Sequence, residues 1–266
     1  MFGLLNWFRE KKLDKIIEDL APRDEYCQRL ISRIDADYRI KLRPLNYQNI
    51  SSYFLIDMLE RAFANMNIAD LPSNINVLDV GVGTWYYAPA LLNFLKYYKG
   101  QRKVCLEGVD FPKRDHKKSI NNIKKYSDVI IHWDDVMNLN QKEKYDIIFM
   151  IHMLGGPSHF KAFKVPYCPS SQMFPHVQSL GKPNGLFVLI AHNYAGEEAI
   201  LNCLKKEAQQ GDMNYRLQTG DDLSSEIGGR FGFHDNWISI CRLPFVDLEA
   251  CKERDRELKM FSFLEI

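Results

Sequence analysis

The chain has 266 residues, of which 46% are hydrophobic and 26% charged, so it holds enough apolar material for one sizeable core. Its formal net charge of +1 excludes a global field that would favour nucleic acid, an acidic membrane or an acidic substrate. One basic stretch, Lys113–Lys118, contains Asp115 and is interpreted as a solvated loop or helix start. We therefore expect no nucleic-acid partner.

The six cysteines are widely scattered and show no Cys-x-x-Cys spacing. This spacing predicts neither a structural zinc site nor a redox dithiol. Together with the absence of a secretory signal pattern, it favours a reducing cytoplasm as the compartment.

Residues 1–70 are predicted to form a helical N-terminal extension that packs on the domain after it. Met1–Phe8 is apolar and aromatic and Arg9–Lys12 is mostly basic, which predicts an amphipathic helix, with contact at a membrane surface as the alternative. The apolar stretch is too short to span a bilayer, so no transmembrane segment is expected there. A later helix of this extension is predicted to begin at a Ser51 or Ser52 cap.

Residues 71–245 alternate short apolar runs with helical segments. This pattern predicts an α/β domain with a seven-stranded, mostly parallel sheet, an antiparallel C-terminal pair and helices on both faces. Residues 246–266 are predicted to form a C-terminal helix and tail. The predicted strands are Ile75–Val80, Val104–Val109, Val129–His132, Tyr145–Ile151, Leu186–Ala191, Tyr215–Thr219 and Trp237–Leu243. The predicted helices between them are Tyr86–Tyr98, Lys117–Tyr126, Pro175–Leu180 and Gly196–Gln210.

The sharpest motif is Val77–Trp85, which reads VLDVGVGTW and joins the first strand to a helix. Gly81 and Gly83 would let the chain turn tightly and let a ligand approach the backbone at the positive end of the helix dipole. A dinucleotide fingerprint would need a third glycine at Tyr86, so a nicotinamide-dependent oxidoreductase is disfavoured. The other pattern for such a turn places an acidic residue two positions before the first glycine, and Asp79 fits it.

The segment from Asp79 to Thr84 resembles the first motif of the class I S-adenosylmethionine-dependent methyltransferases. The resemblance implies S-adenosyl-L-methionine as cofactor, a binding turn formed by Gly81, Gly83 and Thr84, and hydrogen bonds from the methionine ammonium to Asp79. The family often has a third glycine where this chain has Trp85. A large ring there would reshape or partly fill the pocket, so a catalytically degenerate, methyltransferase-like binding module is the alternative.

Two further acidic signals follow the glycine turn in the order of the family. Asp110 ends the second apolar strand, where a carboxylate receives the ribose hydroxyls in nucleotide-binding sheets, and a helix cap is the alternative. Asp135 and Val136 follow the third strand and match the loop that contacts the adenine amino group and ring. Asp134, or an ordinary acidic turn, is the alternative at this place.

The carboxyl ends of parallel strands are where ligands of such sheets bind. His152 directly follows the fourth predicted strand and is the candidate general base, with a structural histidine as the alternative. Gly155–Phe174 is long and is interpreted as a substrate lid or as a packed surface excursion. The weaker candidates for the base are His159 and His192, and Met153 and Asn193 are expected on the substrate side of the cleft.

The fourth strand and the turn at Leu180–Leu186, before the fifth, also resemble the family's segments. Five signals in the right order agree with one another, and this agreement is the main support for the resemblance. The sequence thus predicts an S-adenosylmethionine-dependent methyltransferase with a small-molecule acceptor and no metal.

Overall fold

The structure is a computed structural model that describes residues 2–65, 71–111, 116–151, 169–191, 203, 214–215 and 237–264. Helices and strands are labelled here in chain order within those residues. Three helices precede the sheet: α1 (Phe2–Leu20), α2 (Glu25–Tyr38) and α3 (Tyr47–Asn65). They are followed by β1 (Asn74–Val80), α4 (Ala88–Tyr97), β2 (Lys103–Asp110), α5 (His116–Ile123), β3 (Val129–Trp133), β4 (Tyr145–Ile151), α6 (Ser170–Leu180), β5 (Gly181–Ala191), β6 (Asn214–Tyr215), β7 (Trp237–Arg242) and α7 (Leu248–Leu264).

The strands form one sheet in the order β3-β2-β1-β4-β5-β7-β6. The first five strands pair in parallel, whereas β7 is antiparallel to both β5 and β6. The predicted α/β fold with a mostly parallel sheet and an antiparallel pair is therefore confirmed. The predicted strand Tyr215–Thr219 corresponds to β6, which begins one residue earlier, at Asn214, and is described only as far as Tyr215; residues 216–219 of that prediction lie outside the described residues. The described sheet thus has six full strands and one two-residue segment.

Helices cover both faces of the sheet because alternate residues of a strand point to opposite sides. Val77 of β1 lies in a core shared with buried residues of α2, α3 and α4, including Ile34 and Leu59. Leu78 lies in a second core with buried residues of α6 and α7. The N-terminal helices therefore pack on the same face as α4. No helix in the described residues is long and apolar enough to cross a membrane.

Helix α3 begins earlier than the predicted serine cap. It starts at Tyr47, where the side chain of Asn46 accepts a 2.9 Å hydrogen bond from the backbone N–H of Asn49. Ser52 lies inside the helix and donates to the carbonyl of Gln48. An asparagine cap satisfies the free N–H groups as well as serine does, so the prediction chose the wrong one of several equivalent caps.

Helix α6 also begins earlier than predicted, at Ser170 instead of Pro175. Both carboxylate oxygens of Asp255, a residue of α7, accept from the backbone N–H groups of Ser170 and Ser171, at 2.7 and 2.9 Å. This cap is supplied 84 or more residues away in the chain, so local sequence could not reveal it. Residues 170–174 of the expected lid are therefore helix, and residues 155–168 of it lie outside the described chain.

Candidate functional site

The turn after β1 is formed by alternate residues in the left-handed region. The backbone φ is +78° at Gly81, +56° at Gly83 and +48° at Trp85. Glycine adopts this conformation without strain, whereas a bulky residue there is an outlier. The third position therefore keeps the backbone of a glycine and carries the side chain of a tryptophan.

The turn is held from two sides by hydrogen bonds to its backbone. The N–H of Gly81 donates to the carbonyl of Val109 on β2 at 2.8 Å. From α5, Ser119 Oγ donates to the carbonyl of Gly83 at 2.8 Å, and Asn122 Nδ2 donates to that of Thr84 at 2.9 Å. A Cβ built on Gly83 would meet no atom of the described residues within 4 Å, so space is open beside this glycine as far as the structure describes the chain. The turn is rigid, and one side of it is accessible to a ligand.

The second predicted carboxylate lies against this turn. Asp110 is the last residue of β2, and its Oδ2 accepts a 2.6 Å hydrogen bond from the N–H of Gly83. The side chain is 6% exposed. The structure thus brings two sequence signals, separated by 27 positions, into direct contact. The predicted ribose role of Asp110 stays a prediction.

The first predicted carboxylate, Asp79, is fully buried beside the ring of Trp85. The indole Nε1 donates a 2.8 Å hydrogen bond to Asp79 Oδ2, and both side chains are 0% exposed. The six-membered part of the indole lies on Gly108 of β2, where a Cβ would come within 2.6 Å of the ring. Asp79 and Gly108 are paired in the β1–β2 register, so the ring lies across the carboxyl-terminal ends of both strands.

The other oxygen of this carboxylate, Asp79 Oδ1, is buried and has no hydrogen-bond partner among the residues that the structure describes. The hydroxyl of Tyr87, also buried, has none either. Burial raises the pKa of Asp79 to about 7, and the negative charge of Asp110 acts in the same direction. Burial raises the pKa of Tyr87 well above its ordinary value, and the charge of Asp79 adds to this effect. The two side chains therefore interact electrostatically.

The third pair of predicted residues follows β3, whose last residue, Trp133, pairs with Asp110. The side chain of Asp135 caps a short 3₁₀ turn by accepting from the N–H of Met137 at 2.9 Å. Val136 is 8% exposed, and its carbonyl accepts from His176 on α6. Both residues lie at the same edge of the sheet as Asp110, and their adenine-binding role stays a prediction.

Several predicted substrate-side residues lie outside the described chain. They include the candidate base, and its role stays a prediction. These residues are His152, Met153, His159, His192 and Asn193. Within the described residues, no group of three or more His, Cys, Asp or Glu side chains could hold a metal ion.

Sequence reasoning missed part of what surrounds Asp79. It considered Trp85 as a ring that would reshape or partly fill the pocket, whereas the structure places both Trp85 and Tyr87 beside the carboxylate. It did not single out Gly108. A glycine inside an apolar strand signals close approach of another group, so the run Val104–Asp110 did contain the clue.

No family model and no curated protein matches this sequence. Among solved structures, the chain is similar to the YcgJ protein of Bacillus subtilis, with 20% identity and a TM-score of 0.37 over 53% of this chain and 57% of that one. It is also similar to an S-adenosylmethionine dependent methyltransferase from Mesorhizobium loti, with 16% identity and a TM-score of 0.34 over 52% and 55% of the two chains. A third similar structure is the [4+2]-cyclase SpnF, with 13% identity and a TM-score of 0.40 over 68% and 63%.

This chain therefore spans less than two thirds of the length of each of these three proteins. Methyltransferases recur among the solved structures to which it is similar. At such low TM-scores the likeness assigns no activity, so function has to be inferred from the residues at the glycine turn.

Proposed function

We propose that the chain is an S-adenosylmethionine-dependent methyltransferase that acts on a small-molecule acceptor. The main support is the meeting of two carboxylates at the glycine turn, at the carboxyl-terminal ends of neighbouring strands. Asp79 lies near the carboxyl-terminal end of β1, and Asp110 lies at that of β2. The N–H of Gly83 in the turn donates a hydrogen bond to Asp110. Ligands of open parallel sheets bind at this edge.

The residues present suit the chemical groups of this cofactor. Asp79 Oδ1 is a buried acceptor without a donor, which suits a ligand ammonium. Asp110 is an acceptor at the place where nucleotide-binding sheets take ribose hydroxyls. Open space beside Gly83 allows a ligand to approach the backbone. Asp135 and Val136 would contact the adenine.

When bound, the cofactor would supply an electrophilic methyl group, to which a lone pair of the acceptor would bond while the methyl–sulfur bond breaks and the neutral thioether leaves. The protein's part is alignment, and the rigid turn held by Ser119 and Asn122 suits that task. His152, which follows β4, is proposed as the base that takes a proton from the acceptor. A net charge of +1 fits a small acceptor better than a polyanion, and we propose a cytoplasmic location.

The test is calorimetric titration of S-adenosylmethionine into the full chain and into Asp79→Asn and Asp110→Asn. Asparagine keeps one carbonyl oxygen for the Trp85 or Gly83 donor, removes the charge, and replaces the second acceptor oxygen with an NH2 donor. We expect the wild type to bind and each variant to lose about tenfold in affinity or more, the value of a charge-assisted hydrogen bond.

Asp146→Asn is the matched control, because Asp146 is a buried carboxylate at the opposite end of the sheet. It accepts from Lys182 Nζ at 2.7 Å and from the N–H of Asn76 at 2.8 Å. Its binding should equal that of the wild type. An equal loss in all three variants would attribute the effect to general destabilisation. Binding of a nicotinamide dinucleotide instead would replace the proposal with an oxidoreductase.

A second candidate function is a methyltransferase-like binding module without turnover. The observation in its favour is the closed state of Asp79, with the indole of Trp85 on one oxygen and full burial of both side chains. A folded wild type that binds no S-adenosylmethionine would favour this module. Binding followed by methyl transfer to any acceptor would exclude it.

A further inference from the structure

Trp85 holds a backbone conformation that disfavours its own side chain. Its φ of +48° continues the left-handed pattern of Gly81 and Gly83. Such strain in a bulky residue persists only where the surroundings fix it, and it concentrates at ligand sites and switches. Something in this fold therefore compensates for the strain at Trp85.

Two contacts provide that compensation. The indole N–H donates to Asp79 Oδ2 at 2.8 Å, and the ring is fully buried against β2. The ring fits there because residue 108 is glycine, where any Cβ would lie 2.6 Å from the ring. A tryptophan in the turn and a glycine on the next strand thus form a matched pair, here called the Trp85 latch (Trp85, Gly108 and Asp79).

The latched state leaves polar groups unsatisfied. Within the described part of the chain, Asp79 Oδ1 and the Tyr87 hydroxyl are both buried without hydrogen-bond partners. A buried polar atom without a partner costs free energy that a new donor would recover. Strain at Trp85 and an orphaned carboxylate oxygen both weaken this state, while burial of the ring favours it. These opposing contributions to stability suit a side chain that moves when a ligand supplies a new hydrogen-bond donor to Asp79.

We propose that Trp85 controls ligand access to Asp79. In the latched state the indole ring and its N–H close off the carboxylate, and a cationic nitrogen of the ligand reaches Asp79 when the ring leaves Gly108. This inference rests on the proposed function, and it identifies Trp85 as the residue that sets the apparent affinity for the ligand. Because only the open fraction of molecules binds, the latch weakens the measured affinity by that fraction.

Two substitutions at this residue separate its contributions. Trp85→Gly removes the ring and relieves the left-handed strain, whereas Trp85→Phe keeps a smaller aromatic ring and removes the N–H together with part of the indole. We expect S-adenosylmethionine to bind Trp85→Gly about tenfold more tightly than the wild type or better, with Trp85→Phe between them, because each removes part of the closed state.

Lys99→Gly is the matched backbone control. Lys99 has a φ of +45° and lies in the turn between α4 and β2, at the other end of the sheet. Lys99→Gly makes the same change as Trp85→Gly, because it places glycine at a position whose φ lies in the left-handed region, and it leaves the Trp85 latch unchanged. Its affinity should equal that of the wild type, so a gain in Trp85→Gly alone belongs to the ring.

A second measurement follows the ring itself. The chain has four tryptophans, and 5-fluorotryptophan labelling gives one fluorine resonance for each. The Trp85 resonance is the one missing from Trp85→Phe. On addition of S-adenosylmethionine to the wild type, this resonance should move to the position of a solvent-exposed indole.

The outcomes distinguish this inference from the function on which it rests. If the wild type binds and Trp85→Gly binds equally or more weakly, the latch is wrong and the cofactor site stands. If the wild type binds and the Trp85 resonance does not change, the latch is likewise wrong. If neither the wild type nor either variant binds, the proposed function is wrong and the latch with it. Should Trp85→Gly fail to fold, the affinity of Trp85→Phe against the wild type decides.

Discussion

Two buried carboxylates lie on neighbouring strands and are satisfied in opposite ways. Glu107 on β2 accepts from His132 Nε2 at 2.8 Å, from the Tyr145 hydroxyl at 3.0 Å and from Lys144 Nζ. Burial alone would raise the pKa of Glu107, but these donors outweigh it and lower that pKa below its ordinary value. Among the described residues, Asp79 on β1 has one hydrogen-bond donor, the indole N–H of Trp85, and burial raises its pKa to about 7.

The two carboxylates lie on adjacent rungs of the same strand pair. Glu107 pairs with Leu78 and Gly108 pairs with Asp79, so the side chains point to opposite faces. A carboxylate with a structural role has donors for both of its oxygens, as Glu107 does. A buried carboxylate that lacks donors is rare and is a candidate for binding. Both carboxylates are buried. The candidate site thus differs from the structural core in how many hydrogen-bond donors its carboxylate has.

The largest effect should come from Glu107→Gln. The substitution leaves Lys144, His132 and Tyr145 facing an amide, and we expect the free energy of unfolding to fall by about 2–3 kcal/mol. This is below the cost of breaking a fully buried pair, because the Lys144 side chain is 29% exposed. Urea unfolding measures the change. Glu253→Gln, at an exposed position of α7, is the control, and an equal effect of both would mean that the Glu107 cluster adds no stability.

The next effect should come from Gly108→Ala. The added methyl group would meet the Trp85 ring, and relief of that contact should cost about 1–3 kcal/mol in the free energy of unfolding. In a Trp85→Gly background the same substitution should cost almost nothing, because the ring is gone. Urea unfolding of the four proteins gives the coupling energy between the two positions. Additive effects would show that the ring does not lie on Gly108 in solution.

An effect of comparable size should appear as a difference in pH dependence. Because the folded-state pKa of Asp79 is raised to about 7, its contribution to stability is favourable while the carboxyl is protonated and is lost as pH rises from about 4 to 7. Asp79→Asn cannot ionise, so its stability relative to the wild type should increase over that interval. Urea unfolding at pH 5 and pH 7.5 measures the difference.

Glu107 provides the opposite comparison. Its folded-state pKa is lowered, so its contribution is present above its unfolded pKa and is lost as pH falls through the folded value. Between pH 5 and pH 7.5, Glu107→Gln should therefore differ from the wild type by a constant amount. A constant difference for Asp79→Asn as well would show that Asp79 titrates like an ordinary surface aspartate.

Much of the fold follows from apolar periodicity and from two glycines. The runs that predicted β1, β2 and β4 alternate with helices and end in turn residues, so local sequence sufficed. The start of α6 could not be predicted, because its cap comes from Asp255 on the last helix. Contacts between distant segments decide such boundaries.

The same distinction between local sequence and distant contacts applies to the candidate site. Asp79, Gly81 and Gly83 were found because the turn places them next to each other in sequence. The contact of Asp110 with this turn followed from strand order. The burial of Asp79 under Trp85 did not, because it depends on the fit between that ring and Gly108 across two strands. Spacing in the sequence shows which residues can come into contact. Packing of the side chains determines which of their polar atoms lack hydrogen-bond partners.

The smallest effect compares two buried tyrosine hydroxyls, one on each carboxylate. Tyr145→Phe removes a donor to Glu107 and should lower the free energy of unfolding by about 1 kcal/mol. Tyr87→Phe removes a hydroxyl that has no partner beside Asp79, so it should leave stability unchanged or slightly raise it. Each variant is measured by urea unfolding against the wild type. Equal losses in the two would mean that Tyr87 donates to Asp79 in solution, which would give that carboxylate a second donor and remove the contrast with Glu107.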